Sequence, residues 1–243
     1  MSWKAWLILG VMTAGLLFLL SPMIIKAMDG EGYVRSQNSL QHIGLALLNY
    51  HDVFGKFPPA VVRDQGGKPL YSWRVPILQF LDTEPAYETF RLNEAWDSPH
   101  NRPLSEKTPP CFQPALGGPD GAGLTRYQVL IGPGTAFERD GLTLEDFPDG
   151  RANTILVGEG AEPVPWSKPA ELLYDPARPL PAFGGPFRKA VHFLGYEVRR
   201  KPGFNALFAD GTVRFIPSDT DERIIRALIT RNGGEPVDLS KLE

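Results

Sequence analysis

The sequence predicts an α+β protein in which a long N-terminal helix, transmembrane in its first part and amphipathic in its second, packs on an antiparallel β-sheet with long irregular loops. Three observations carry this. Residues 5–25 (AWLILGVMTAGLLFLLSPMII) form an uncharged apolar run. At ~1.5 Å per residue such a helix is roughly 30 Å long, which matches a bilayer's hydrocarbon core. Residues 34–54 then place Leu40, Ile43, Leu47 and Phe54, with Leu48 and Tyr50 nearby, on one side at helical spacing. Beyond residue 111 the pattern turns to short β-branched segments punctuated by Asp-Gly pairs.

These patterns divide the chain into an anchor (1–28), an amphipathic helix continuing from it (29–57) and an α+β globular domain (58–243). A cleaved signal peptide has a 7–15-residue apolar core and a small-x-small cleavage site. The run here is longer and no such site follows it. A core helix is the other alternative, and 21 uncharged residues near an N-terminus favour a retained span over it. Trp3 and Trp6 stand at its start, where interface aromatics belong. Lys4 flanks one end; Lys26 and Arg35, offset by Asp29 and Glu31, flank the other. Positive-inside counting is therefore nearly even. The few residues before the span favour the N-terminus inside and the domain on the non-cytoplasmic side. Pro22 is expected to bend the span's last turn.

Gly30 and Gly32 each weaken a helix by ~1 kcal/mol relative to Ala, so a hinge is expected there, with helix resuming near Val34. Asn38, Gln41, Asn49 and Asp52 form the polar face, and Gly55 with Pro58 and Pro59 stops the helix. Residues 70–82 turn helical around Pro76–Leu81, 84–98 read as a short helix and a loop, and 100–110 as loop. Thr125–Gly134 and Asn153–Gly160 are strands, and 161–190 is proline- and glycine-rich. Phe204–Pro217 holds two strands around Asp210-Gly211, the strongest hairpin signal in the chain. Glu222–Glu235 closes as a helix.

The composition has 25 Gly and 24 Pro in 243 residues, a net charge of −3, and no basic stripe of the kind nucleic acid selects. The single cysteine, Cys111, permits no intramolecular disulfide and no cysteine metal cluster. His42 and His51 are nine apart and do not share a face as an i, i+4 metal pair would. Residues 131–136 (IGPGTA) lack the lysine of a phosphate cradle and read as a loop after a strand. Glu159 follows an apolar strand and reads as a surface or hydrogen-bonded carboxylate, with a groove residue as the alternative. Asp149-Gly150 with Asn153 reads as a turn, with a hard-cation site as the alternative. Asp210-Gly211 reads as a turn in which Asp accepts local backbone hydrogen bonds. Trp73, Trp96 and Trp166 read as packing, with a sugar- or peptide-binding surface as the alternative. No catalytic residue, cofactor or metal ligand is assigned.

Several stretches resemble, in order, the prepilin-like domain of unknown function 1559 family. They are Pro22 in the apolar helix, QNSLQHIGLALLNYHDVFGKFPPA (37–60), YSWRVPILQFLD (71–82), DGRANTILVGE (149–159), VPWSKPAELLYD (164–175), FADGTVRFI (208–216) and LITRNGGE (228–235). The resemblance implies a pilin-type helix on an antiparallel sheet and brings no assigned activity. The chain departs from the family pattern at identifiable places. The basic leader and processing motif are not seen before the apolar run, and Ala5 stands where the family has its glutamate. That departure removes the grounds for expecting processing and polymerisation. Ser36 stands where many members have a cysteine, and Arg200 where the signature histidine falls ten residues before Asp210.

The resulting expectation is a membrane-anchored, pilin-like envelope protein without enzymatic activity. Its partners are the lipid bilayer, through residues 5–25, and other envelope or pilin-like proteins; nucleic acid is not one. An envelope binding module that has left assembly is the second reading, and an envelope hydrolase the third.

Overall fold

A computed structural model describes residues 30–81, 89–115, 123–184, 188–193 and 196–242. The apolar run 5–25 lies outside the described residues. Among them, no helix is long and apolar enough to cross a membrane.

Helix α1 is continuous from 30 to 54. The hinge expected at Gly30 and Gly32 is not there, because both residues are helical and Gly32 is buried. Tertiary packing outweighs their poor propensity: Tyr33 meets the Phe215 ring edge-on at 5.8 Å. Leu40, Ile43 and Leu47 are fully buried, as their spacing predicts, whereas Phe54 is exposed and packs on Tyr50 at 4.4 Å. Gly55 closes the helix with φ +69° while its N–H donates to the His51 carbonyl, a left-handed cap that suits glycine.

A two-stranded antiparallel pair, β1 (Val61–Arg63) and β2 (Pro69–Ser72), leads into a 3₁₀ turn at Pro76–Phe80. Residues 100–110 are not all loop. Asn101 accepts from the Arg91 N–H and donates to the Arg91 and Ala95 carbonyls. That clamp starts a one-turn helix, α2 (Arg102–Ser105), whose proline lies in the first turn, where a missing N–H costs nothing.

The main sheet contains β3 (Leu124–Ile131), β4 (Ile155–Pro165), β5 (Leu172–Leu173), β6 (Arg188–Phe193), β7 (Tyr196–Phe208) and β8 (Val213–Pro217). Its order is β5-β3-β4-β7-β6, with β8 also on β7; the β3–β5 pair is parallel and the others antiparallel. The sheet is thus mixed rather than purely antiparallel. Residues 188–193 and 196–203, for which the sequence pattern predicts no element, form a ribbon of β6 with the first half of β7.

Alternation along the strands feeds two cores. Val129, Val157 and Leu207 face α1, Trp73 and Trp166; Leu130, Ile155, Ala206 and Phe208 face α3 (Glu222–Ile229). A register shift between Ile155 and Val157 lets the adjacent Leu156 and Val157 join the same core. Helix α3 is capped by Asp221 accepting from the Arg223 N–H. It ends at Ile229 instead of continuing to Glu235, because Thr230 bridges Thr135 and the Arg231 N–H donates to the Gly134 carbonyl.

Candidate functional site

The polar interior of the molecule centres on Glu159, which β4 carries opposite Tyr127 of β3. Its side chain points under α1 and is 1% exposed. Ser36 Oγ donates to Oε1 at 2.6 Å, and the Asn205 backbone N–H donates to Oε2 at 2.7 Å. Asn205 Nδ2 completes a triangle by donating to Ser36 Oγ at 3.0 Å. Burial pushes the Glu159 carboxyl up to about 7, against the opposing pull of these donors and of the Arg126 charge. The Tyr127 hydroxyl faces the same cluster without a hydrogen bond in ordinary geometry, and burial raises its pKa. Ser36 and Asn205 thus tie helix α1 to β4 and β7 through one shared acid.

Beside this cluster runs an open groove of about 620 Å³ between the first half of α1 and the turn at Pro110 and Cys111. Glu31, Arg35, Asn38, Ser39 and His42 supply its polar groups, and Val34 and Pro110 its apolar ones. Cys111 lines it but is buried, which pushes its thiol up to about 12. Desolvation therefore keeps the sulfur protonated near neutrality, the opposite of a nucleophilic cysteine. The groove can hold a small polar ligand or the edge of a partner.

A second polar knot lies deeper. The Arg74 guanidinium and the Glu171 carboxylate meet as a fork on a fork, at 3.0 and 3.1 Å, with side chains 0% and 1% exposed. Arg74 Nε and Nη2 also donate to the Tyr127 carbonyl, and its Nη1 to Ser72 Oγ. Glu171 further accepts from Trp73 Nε1 and the Val129 N–H. Burial pulls Arg74 down and Glu171 up, and the partner charge opposes both shifts. An arginine stays charged in proteins, so the pair is ionic and every oxygen is engaged. It clamps β2 to β3 and the segment before β5.

The other sequence candidates fall elsewhere. His42 is exposed on α1, and His51 Nε2 accepts from the Leu144 N–H on the far half of the helix. Asp149 uses both oxygens on the Gly234 N–H while its carbonyl accepts from Asn153, so it is a turn staple apart from Glu159. Asp210 accepts from the Thr212 N–H and hydroxyl in the β7–β8 turn, as its sequence predicts. Residues 132–136 are a loop after β3, pinned by Thr135. The tryptophans do not form a binding surface: Trp73 and Trp166 are buried, Trp166 stacks on Phe112, and Trp96 sits half-buried near Lys168. The side chain of Arg200 lies outside the described residues.

Sequence reasoning missed the partners Ser36 and Asn205 and the whole Arg74–Glu171 knot. The available signal was a lone charge inside apolar surroundings: Arg74 in YSWRVPIL and Glu171 before LLY. Among the described residues, no group of three or more His, Cys, Asp or Glu is placed to hold a metal.

No curated protein matches the chain, and no solved structure does. One family, described as "Protein of unknown function (DUF1559)", matches residues 34–116. That stretch contains α1 beyond its first turn, Ser36, Arg74 and all of the groove's lining except Gly30 and Glu31. Residues 34–116 are thus similar to the family of domain of unknown function 1559, which supports the resemblance over that stretch and carries no assigned activity.

Proposed function

We propose that the chain is a membrane-anchored, pilin- or pseudopilin-like envelope protein that works through protein–protein contacts and not through catalysis. The observation that carries this reading is the placement of α1. One side of the helix is sealed on a sheet, the other carries Val34, Leu45 and Val53 at 52%, 59% and 65% exposure, and the uncharged run 5–25 lies just upstream. A rigid sheet behind such a helix presents its outer face in a fixed orientation. The buried acid and thiol fit this reading, since both serve the interior. A second reading, an envelope binding module that has left assembly, is favoured by the open groove beside Cys111 and by Ala5 in the place of the family glutamate.

The test is extraction from membranes followed by mass measurement of the recovered N-terminus. The anchored protein is released by detergent and resists alkaline carbonate. A chain that stays in the aqueous fraction without detergent overturns the anchor. An intact Met1 or Ser2 favours the binding module, and a trimmed N-terminus favours pilin-type assembly.

A further inference from the structure

The ribbon formed by β6 and the start of β7 gathers charge that is scattered in the sequence. Its rungs pair Arg188 with Pro202, Lys189 with Lys201, Ala190 with Arg200 and Val191 with Arg199. Five basic residues therefore occupy four consecutive rungs. Between 188 and 201 the only acidic residue is Glu197, so this segment carries +5 − 1 = +4 in a chain of −3, leaving −7 for the remainder. Lys189 directly opposite Lys201 is a destabilising arrangement in an antiparallel pair. Its outermost rung is aromatic, Phe193 with Tyr196. From Tyr196 to Lys201, β7 has β6 as its only strand partner among the described residues. At ~3.3 Å each, those six residues make a two-stranded stretch roughly 20 Å long.

Its direction follows from the contacts of α1. Ser36 lies at Asn205, Gly44 at Leu207 and Leu48 at Gly211. Helix α1 therefore runs alongside β7 in the same sense, and its first residues sit at the end of the sheet from which the ribbon leaves. Residue 30, five positions after the apolar run's last residue Ile25 in the sequence, lies at that same end.

We propose that the β6–β7 ribbon is an anionic-lipid contact: its basic rungs rest on acidic headgroups beside the anchor, and the Phe193–Tyr196 rung sits at the interface. Arginine and lysine near an acidic leaflet are attracted to it, and aromatic residues favour the headgroup level. A soluble polyanion would be served by the charges alone and gives no reason for the aromatic rung. The inference rests on the anchored reading for which membrane the ribbon meets.

The test uses the full chain with an environment-sensitive fluorophore on His192→Cys; Cys111 is buried and does not compete for label. Flotation with phosphatidylcholine vesicles reads the anchor, and the response of the label to added phosphatidylglycerol reads the ribbon. Ribbon engagement is expected to rise at least about tenfold with the acidic lipid, and to fall again in high salt. Lys201→Glu removes two units of charge while turning the Lys189 rung into an opposite-charge pair, so it is expected to keep the fold and lose most of the response. An equal signal in both lipids, an unchanged response in Lys201→Glu, or the same signal from soluble heparin without vesicles each overturns the proposal. A chain that fails to float yet keeps the acidic-lipid response removes the anchor and leaves the ribbon contact standing.

Discussion

Glu159 shows what one buried group does to the pH behaviour of the whole chain. Burial raises its folded-state pKa from 4.5 to about 7, so between those values the folded protein holds a proton that the unfolded chain has released. Stability then falls as pH rises through this window, and the loss is complete above the folded value. Each pH step of one between the two values is worth ~1.4 kcal/mol, so the change at this site amounts to a few kcal/mol. Glu159→Gln keeps an oxygen for the Asn205 N–H and can offer its amide to Ser36 Oγ, but it has no proton to lose. Relative to the wild type, the variant is expected to lose less stability between pH 5 and 8. Urea midpoints measured across that range check this, and parallel curves for the two proteins would refute it. From the sequence, Glu159 reads as a surface or hydrogen-bonded carboxylate after a strand; the structure overturns the surface half, because the side chain is 1% exposed. Its partners were not legible, because Ser36 and Asn205 lie 123 and 46 residues away and only the folded register brings them together.

Helix α1 sits as close to β7 as glycine permits. A Cβ on Gly44 would stand 2.7 Å from Leu207 Cδ1 and 3.4 Å from Cδ2, and Leu207 is fully buried with little room to yield. Gly44→Ala gains up to ~1 kcal/mol in helix propensity but overpacks this contact, at a typical cost of 1–3 kcal/mol, so net destabilisation of about 1 kcal/mol is expected. Leu207→Val removes the colliding atoms; on that background the same alanine is expected to become neutral or stabilising. A double-mutant cycle by chemical denaturation measures the coupling, and strict additivity would show that Gly44 has no such role. The elements themselves were legible where local chemistry decides them. The α1 stripe, the Gly55 stop, the Asp210-Gly211 hairpin and the strands at 125 and 153 all follow from spacing and turn residues. Elements set by distant partners were not. The hinge expected at Gly32 gave way to packing of that buried turn, the α3 end was fixed by a bridge to Thr135, and β6 was hidden in a stretch that its proline and basic residues made look like loop.

At the scale of the whole molecule, the sheet is covered on both faces, by α1 and the residues up to Phe147 on one and by α3 with the C-terminal segment on the other. The outer side of α1 stays open to a protein partner. Val34, Leu45 and Val53 lie along a stretch of helix about 29 Å long, 19 steps of 1.5 Å from the first to the last. With a helix roughly 10 Å wide, that strip offers about 300 Å², well below the ~800 Å² per partner of a stable soluble complex. A contact through α1 alone is therefore weak in solution and needs the bilayer to hold its partners at high local concentration, as tethering does for any weak pair. A photo-reactive residue in place of Leu45 is accordingly expected to yield cross-linked species in intact membranes and to lose them when the same protein is diluted in detergent. The control is Arg223, whose side chain is 89% exposed on the opposite, α3 side; it is expected to cross-link far less in either setting. A single monomeric band from Leu45 in membranes, or equal yields from both positions, would mean that the open face of α1 is ordinary solvated surface and that the contact reading of this protein is wrong.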